Sequence, residues 1–216
     1  NLTTAGTLST ILSPSELASI TSLTVTGNID ARDFETMRDL MPVLAEIDLS
    51  GANIQAYNPA GDNLNPANTI PPNAFYNRSA LSGKQSLTTC ILPSTATTIG
   101  TSAFSGCVNL SAITIPLSVT EISSSAFSFC KKLESVNIPK NITTIGNQAF
   151  YFCSASFIVD AENPNYSSVD GVLFDKSKTT ILQCPTSKAG VYTIPSSVTN
   201  LGVNGFSGCS SLIEII

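Results

Sequence analysis

The stretch Ile99-Gly100-Thr101-Ser102-Ala103-Phe104-Ser105-Gly106-Cys107 returns with the same order of residue types at 122–130, 145–153 and 201–209. In the first three copies, both the phenylalanine and the final cysteine recur every 23 residues. A fixed period in the twenties is typical of a solenoid, in which each coil of chain buries the apolar face of the next coil. We therefore predict one elongated domain built from stacked coils.

Each copy continues into a segment in which apolar residues alternate. After Cys107 the chain reads Leu110-x-x-Ile113-x-Ile115-Pro116, which matches the strand segment of a leucine-rich repeat. Because successive side chains of a strand point to opposite faces, we expect Ile113 and Ile115 to face the core and Thr114 to face outward. The proline closes the strand, where a missing backbone donor costs little.

Two further features recur between the strand and the next copy. An apolar pair is predicted to line the opposite wall of the solenoid, as Val119-x-x-Ile122, Ile142-x-x-Ile145 and Val198-x-x-Leu201. A glycine follows the second apolar residue at Gly100, Gly146 and Gly202, which suggests a left-handed turn residue. Ser123 occupies the same place in one coil, which weakens that interpretation.

The pattern divides the chain into three parts. Residues 1–56 are interpreted as an N-terminal cap with degenerate leucine-rich repeats, because strand-like segments begin near Ile20 and Leu44. Residues 57–91 are interpreted as an irregular linker with a degraded repeat, and residues 92–216 as the regular repeats. The predicted fold is an α/β solenoid, a right-handed leucine-rich-repeat superhelix with short parallel strands, a 23-residue period and a helical N-terminal cap.

Local signals predict two helices in the cap and one insertion in the repeats. Ser13-Pro14-Ser15-Glu16 is a capping box that predicts a short helix ending near Ile20. Asp30 is predicted to cap a helix from Ala31 to about Met41. The insertion at about 161–193 carries two apolar runs around a turn-like tetrad, which predicts a β-hairpin.

Composition narrows the classes of function. A net charge of −5 leaves no basic stripe for phosphates, so we expect no nucleic-acid partner. No apolar run is long enough to cross a bilayer, so no membrane insertion is expected in this segment. The chain has no histidine, which removes Ser-His-Asp and Cys-His nucleophile activation and the commonest metal ligand. Acidic residues are sparse in the repeats, which disfavours a carboxylate enzyme with two acidic groups in a cleft.

The 23-residue unit resembles the BspA-like leucine-rich repeats, also called the Treponema pallidum type. The resemblance covers about residues 70–216, and Asn163-Pro164-Asn165-Tyr166 resembles the start of an insertion that recurs in this family. The resemblance implies a non-enzymatic, extracellular or surface-anchored protein of a Bacteroides-like bacterium. Its partners would be host or bacterial surface proteins, or glycans, and no cofactor or catalytic residue is implied. The chain begins at Asn1 without an apolar leader, as expected of a trimmed product.

The outward strand positions are the predicted binding surface, because parallel strands of successive coils form one continuous sheet. These positions are Thr24, Thr26, Asp48, Ser50, Ala112, Thr114, Ser135 and Asn137, with Ser111 and Glu134 at the edge. Binding through this face would make the protein a protein-binding or adhesion module. The alternative is a carbohydrate or glycoconjugate binding protein, which would need an exposed aromatic residue such as Tyr151 or Tyr166.

Cysteines and acidic residues raise two further hypotheses. The repeated cysteines (Cys107, Cys130, Cys153 and Cys209) lack the paired spacing of a zinc site, so we interpret them as a ladder of buried thiols. Cys90 and Cys184 lie outside that register. An oxygen-rich cluster at Asp160, Glu162, Asn163, Asn165 and Asp170 is a weak candidate for calcium, and a solvated turn is the simpler interpretation. Similarly, Asp30, Asp33, Glu35 and Asp39 are interpreted as helix capping and a hydrated face. No metal site is therefore predicted.

Overall fold

Short parallel strands stack into a solenoid of about eight coils. The computed structural model describes residues 1–59 and 65–216. The helices are α1 (Leu8–Ile11), α2 (Pro14–Ser19) and α3 (Ala31–Glu35), and a π-helical turn at Thr36–Leu40 extends α3. The strands are β1 (Ser22–Ile29), β2 (Glu46–Ile54), β3 (Thr69–Ile70), β4 (Tyr76–Asn77), β5 (Ser82–Gly83), β6 (Thr89–Ile91), β7 (Thr98–Ile99), β8 (Ala112–Thr114), β9 (Glu121–Ile122), β10 (Ser135–Ile138), β11 (Thr144–Ile145), β12 (Ser156–Val159), β13 (Tyr166–Val169), β14 (Val172–Asp175), β15 (Thr180–Gln183), β16 (Gly190–Tyr192), β17 (Asn200–Leu201) and β18 (Leu212–Ile215).

The first row of the solenoid holds the longer strand of each coil. In this row β1, β2, β6 and β8 pair in parallel, as do β10 with β12 and β16 with β18. The Glu134 N–H donates to Ser111 O at 3.2 Å and joins the β8 coil to the β10 coil. Alternate residues point inward, so Ile115 is buried, Ile113 is half-buried and Thr114 is exposed, as predicted.

The other two sides of each coil form the second and third rows. The second row contains β3, β7, β9 and β11 in parallel, followed by β15 with β17. The third row is the Ala-Phe turn of each repeat, where one coil donates backbone N–H groups to carbonyls of the next. The Phe104 N–H donates to Ala126 O at 2.8 Å, and the Phe127 N–H donates to Ala149 O at 2.7 Å.

Stacked aromatic rings fill the centre of the solenoid. Ring centroids lie 5.2 Å apart from Phe75 to Phe104, 5.3 Å from Phe104 to Phe127 and 5.5 Å from Phe127 to Phe150. All four side chains are at most 2% exposed, and a ladder of buried cysteines accompanies them at Cys107, Cys130 and Cys153. The predicted one-dimensional stacking is therefore confirmed, and Phe75 extends it into the degraded repeat. The prediction is wrong for Cys209, the fourth member of the expected thiol ladder, which is only half-buried in the last repeat.

The recurring glycine has a different role from the one predicted. Gly100 and Gly146 do not have a positive φ. A Cβ atom on Gly100 would lie 2.5 Å from Ile70 O of the preceding coil, so this position needs a small residue for close approach of the backbones. The left-handed conformation falls two residues later, at Ser102 with φ 56° and Gln148 with φ 56°.

The N-terminal cap contains both predicted helix starts and one additional helix, α1. Ser13 and Glu16 form the capping box of α2, and Asp30 and Asp33 form that of α3. The hydrated face expected at these acids is wrong for two of them, because Asp30 is 2% exposed and Asp33 is fully buried. The Asp33 carboxylate accepts hydrogen bonds from the N–H groups of Gly6 (2.6 Å), Leu8 (2.9 Å) and Asp30 (2.9 Å). Asp33 therefore ties the first segment of the chain to α3.

Replacing Asp33 with alanine is expected to lower the free energy of unfolding by about 2–3 kcal/mol, because three backbone N–H groups in the cap lose their acceptor. Urea denaturation monitored by circular dichroism measures this loss. Glu35→Ala is the matched control, since Glu35 is exposed on the same helix. Equal stability of the two variants would contradict the anchoring role of Asp33.

The insertion forms three antiparallel strands. β14 pairs with β13 on one side and with β15 on the other, and β15 then pairs in parallel with β17. β14 and β15 thus form the predicted hairpin. Because β15 also belongs to the second row, the insertion contributes one strand to the stacked coils of the solenoid. β13 was not anticipated from the sequence.

Two apolar residues of the predicted elements are exposed. Leu201, which the pattern assigned to the opposite wall, is 59% exposed because β17 is the outer strand of its row and has a neighbour on one side only. Leu40 in the cap is 49% exposed, whereas Met37 and Met41 are buried. Part of the irregular linker, residues 60–64, lies outside the described residues.

Candidate binding surface

The outward side of the first row, called the strand face below, presents two ladders of side chains. One ladder joins Ser22, Glu46, Thr89 and Ala112, and the other joins Thr24, Asp48, Ile91 and Thr114, as the strand register shows. Together they line a shallow groove of about 490 Å³. The groove is open along the strands, so it suits an extended surface contact better than an enclosed small molecule.

The structure brings four of the predicted residues into this groove, namely Thr24, Asp48, Ala112 and Thr114. Ser135 and Asn137 lie exposed on β10, one coil further along the strand face. Glu134 is also exposed, immediately before β10. These residues lie on one surface that spans five coils, from β1 to β10.

Three other predicted residues lie outside the groove. The pairing of β1 with β2 shifts by one residue between Thr24 and Thr26, so the alternation of side chains slips there. Ser50 lies within this shift, and Thr26 is half-buried over Gly51. The Ser111 hydroxyl donates to Thr88 O at 3.2 Å. Ser111 therefore links two coils.

Two carboxylates face the groove from the same strand. Glu46 and Asp48 are two residues apart on β2, a separation of about 7 Å in an extended chain. The Ser50 N–H donates to Asp48 Oδ1 at 2.8 Å, and this hydrogen bonding from Ser50 lowers the pKa of Asp48. A carboxyl with a lowered pKa stays ionised at neutral pH. Asp48 therefore gives the β2 part of the groove a negative charge.

Sequence reasoning missed the apolar members of the strand face. Ile91 is 41% exposed between Asp48 and Thr114, Ile158 is 54% exposed beside Asn137, and Val191 on β16 is 55% exposed. The repeat alignment could have found Ile91, because it lies between the inward positions Cys90 and Leu92. These aliphatic side chains supply the anchors that the small polar residues lack.

The rival aromatic residues fall in different environments. Tyr166 is half-buried, and its hydroxyl oxygen accepts a hydrogen bond from the Ile145 N–H at 2.8 Å. Burial raises the pKa of Tyr166. This side chain therefore caps the edge of β11, which is a structural role.

Tyr151 belongs to an aromatic cluster at the third row, with Phe129 and Phe152. The Tyr151 ring packs edge-on against both, with centroids 5.4 Å and 4.7 Å away, and the two phenylalanine rings stack at 5.3 Å. Phe129 and Phe152 adopt φ of 60° and 53°, a conformation that corresponding positions of other coils give to glycine. A bulky residue with a left-handed backbone conformation costs about 1–3 kcal/mol. The aromatic cluster therefore forms in spite of strain in the backbone of its two phenylalanines.

The oxygen-rich cluster in the insertion is built as a turn. Asn163 is fully buried, and its side-chain amide donates to Pro139 O and Ile142 O at 2.8 and 3.1 Å. Its Oδ1 accepts from the N–H groups of Asn165 and Tyr166. Across residues 1–59 and 65–216, no three acidic or cysteine side chains lie together in a way that could hold a metal ion.

The stacked coils, the inward alternation and the open strand face define a leucine-rich-repeat solenoid. The profile of the BspA type leucine rich repeat region matches residues 68–212 in six copies. The chain belongs to this family. No curated protein matches the sequence.

Solved structures of bacterial leucine-rich-repeat proteins share this fold. The pneumococcal vaccine antigen PcpA aligns over 90% of this chain and 44% of its own, with a TM-score of 0.64 and 24% identity. A leucine-rich repeat protein from Eubacterium ventriosum aligns over 92% of this chain and 56% of its own, with a TM-score of 0.55 and 24% identity. A leucine rich cell surface protein from Faecalibacterium prausnitzii aligns over 91% of this chain and 60% of its own, with a TM-score of 0.53 and 20% identity.

The chain spans about half the length of these three structures. At this level of identity, the likeness concerns the fold alone. Among the described helices, none has the length and apolar character needed to cross a membrane.

Proposed function

We propose that this protein is a non-enzymatic protein-binding or adhesion module that uses the strand face. The observation that carries the proposal is the exposure of three separate aliphatic side chains, Ile91, Ile158 and Val191, set among small polar side chains. Protein interfaces commonly combine apolar anchors with a polar rim that excludes water. The strand face has this composition, and the absence of a deep cleft in it favours contact with a large partner.

The partner proposed is a protein on a host or bacterial surface, and the location proposed is outside the cell. Membership of the family and the names of two similar structures, a vaccine antigen and a cell surface protein, support this location. Glu46 and Asp48 line the groove from β2, and the chain has a net charge of −5. A partner with a basic patch would therefore associate faster at low salt.

The test is binding to a panel of purified extracellular-matrix proteins, measured by surface plasmon resonance. Ile91→Arg, Thr114→Arg and Asn137→Arg place a large cation on the strand face and are each expected to weaken binding at least tenfold. Thr101→Arg is the matched control, because Thr101 is exposed on another side of the solenoid. Unchanged binding by all three strand-face variants would remove this face as the contact surface.

Glycoconjugate binding is the second candidate, and the cluster of Phe129, Tyr151 and Phe152 favours it. Aromatic side chains with exposed area give a sugar an apolar surface, and Phe129 is 39% exposed. A glycan array probed with the protein and with Tyr151→Ala tests this candidate. Signals that survive Tyr151→Ala but vanish with Ile91→Arg would assign glycan binding to the strand face instead.

A further inference from the structure

One set of hydrogen bonds is missing from the third row. In two successive coils, alternate N–H groups donate to carbonyls of the next coil. The donors are Ser102, Phe104 and Gly106 in one coil and Ser125, Phe127 and Phe129 in the next, at 2.7–3.1 Å. The equivalent groups of the following coil are the N–H groups of Gln148, Phe150 and Phe152. Within residues 1–59 and 65–216, none of these three donates to any acceptor.

The insertion causes the gap. The next copy of the repeat packs against β15 instead of against Phe150, and the Cys184 N–H donates to Gly205 O at 2.6 Å. Phe150 itself is 2% exposed, whereas Gln148 is exposed. An unmade backbone hydrogen bond at a covered residue such as Phe150 is costly, which favours a ligand that supplies the acceptor.

A cleft, called the slot below, lies at this gap. It has a volume of about 180 Å³, and it is lined by Gln148, Phe150, Leu173, Leu182, Gln183 and Val203 among others. The walls contributed by Phe150, Leu173 and Leu182 are apolar. The slot therefore has room for a short stretch of backbone with one or two small side chains.

Gln183 adds an acceptor to the slot. This residue is 5% exposed, and its Nε2 donates to Cys184 O at 3.0 Å. No described residue donates to its Oε1. Open N–H donors, an amide oxygen to which no described residue donates, and apolar walls together match the peptide group, which carries both an acceptor and a donor.

We propose that the slot is a second binding site, separate from the strand face, that takes an extended peptide segment. The carbonyls of the peptide would accept from the Gln148 and Phe150 N–H groups, as Ser124 O and Ala126 O accept from the Ser102 and Phe104 N–H groups two repeats earlier. Addition of a strand to an open backbone edge is a common mode of peptide recognition. Phe157 already packs against Phe150, with centroids 4.9 Å apart, so the bound segment needs a small residue where the repeat has phenylalanine.

The probe is the blocked peptide acetyl-Ser-Ser-Ser-Ala-Ala-Ser-amide, which is the sequence of residues 123–128 with alanine in place of phenylalanine. In nitrogen-15 NMR spectra, it is expected to shift the amide resonances of Gln148 and Phe150 saturably, with half-saturation on the order of 1 mM. Hydrogen exchange at the Phe150 N–H is expected to slow at least tenfold when the peptide is bound.

Two variants locate the site. Val203→Arg places a long side chain at the mouth of the slot, where Val203 is 83% exposed, and is expected to abolish the shifts. Thr143→Arg is exposed on the same coil, outside the slot lining, and is expected to leave them unchanged. Absence of saturable shifts at 10 mM peptide, equal shifts in Val203→Arg, or shifts only at Ile91 and Thr114 would overturn the proposal. So would the same amide shifts with N-acetylglucosamine but not with the peptide, since the ligand would then be a sugar.

Discussion

Phe127→Ala is expected to lower the free energy of unfolding by about 3–5 kcal/mol. The Phe127 ring is fully buried and lies between Phe104 and Phe150, with centroids 5.3 and 5.5 Å away. Removing it opens a cavity in a core where each coil relies on its two neighbours, and it deletes two stacked contacts at once. Chemical denaturation at neutral pH measures the loss.

Phe129 provides the matched control, because it lies two residues away and points to the surface. Phe129 has a positive φ of 60°, a conformation that glycine adopts without strain. Phe129→Gly is therefore expected to change the free energy of unfolding by less than about 1 kcal/mol, and the relieved backbone strain favours a small increase. A loss as large as that of Phe127→Ala would show that the outer aromatic cluster, rather than the inner ladder, holds the coils together.

The second large effect is a loss of stability above about pH 9. Burial raises the pKa of Cys107 and Cys153 to about 12, and it also raises the pKa of Cys90 and Cys130. In the unfolded chain a thiol has a pKa of about 8.5. Between these values the unfolded state releases protons that the native state keeps, so stability is full below pH 8.5 and falls as pH rises toward 12. Each thiol contributes a slope of up to about 1.4 kcal/mol per pH unit.

Urea denaturation under reducing conditions at pH 7, 9 and 10 measures this slope. Lys84 acts in the opposite direction, because burial lowers its pKa to about 8 and the native state gains stability as pH rises from about 8 to 10.5. One lysine offsets about one thiol, so a net loss remains. Cys130→Ala is expected to reduce the alkaline slope by about one third of that net value. A flat profile up to pH 10 would contradict the buried-thiol ladder.

The repeat period was sufficient to predict the inner ladder and the strand register. Phe104, Phe127 and Phe150 recur at equal spacing, and equal spacing in a solenoid places side chains above one another. Outward positions such as Thr114 follow from the same alternation. The period could not reveal Asp33 as a buried anchor, because two of its three donors, the N–H groups of Gly6 and Leu8, come from a segment that only tertiary folding brings to α3.

Other features depend on departures from the repeat, which periodicity does not describe. The left-handed conformation at Ser102 carries no glycine signal, since serine and glutamine accept it in different coils. Ile91 was overlooked because its coil begins in the degraded region, where the motif was not aligned. The slot forms because the insertion displaces the next repeat from Phe150. The length of an insertion can be counted from the sequence, but the side of the solenoid on which it packs cannot.

The hydrophobic interior is divided at the insertion. One cluster runs from Leu2 through Phe157 to Leu173, and a smaller one contains Val172, Phe174, Ile181, Cys184 and Tyr192. In a linear array, cooperativity passes only through the contact between adjacent units, so a weak junction allows partial opening. The segment beyond β13 should therefore melt as a separate foldon, at a lower temperature than the remainder, while the long phenylalanine stack stays folded.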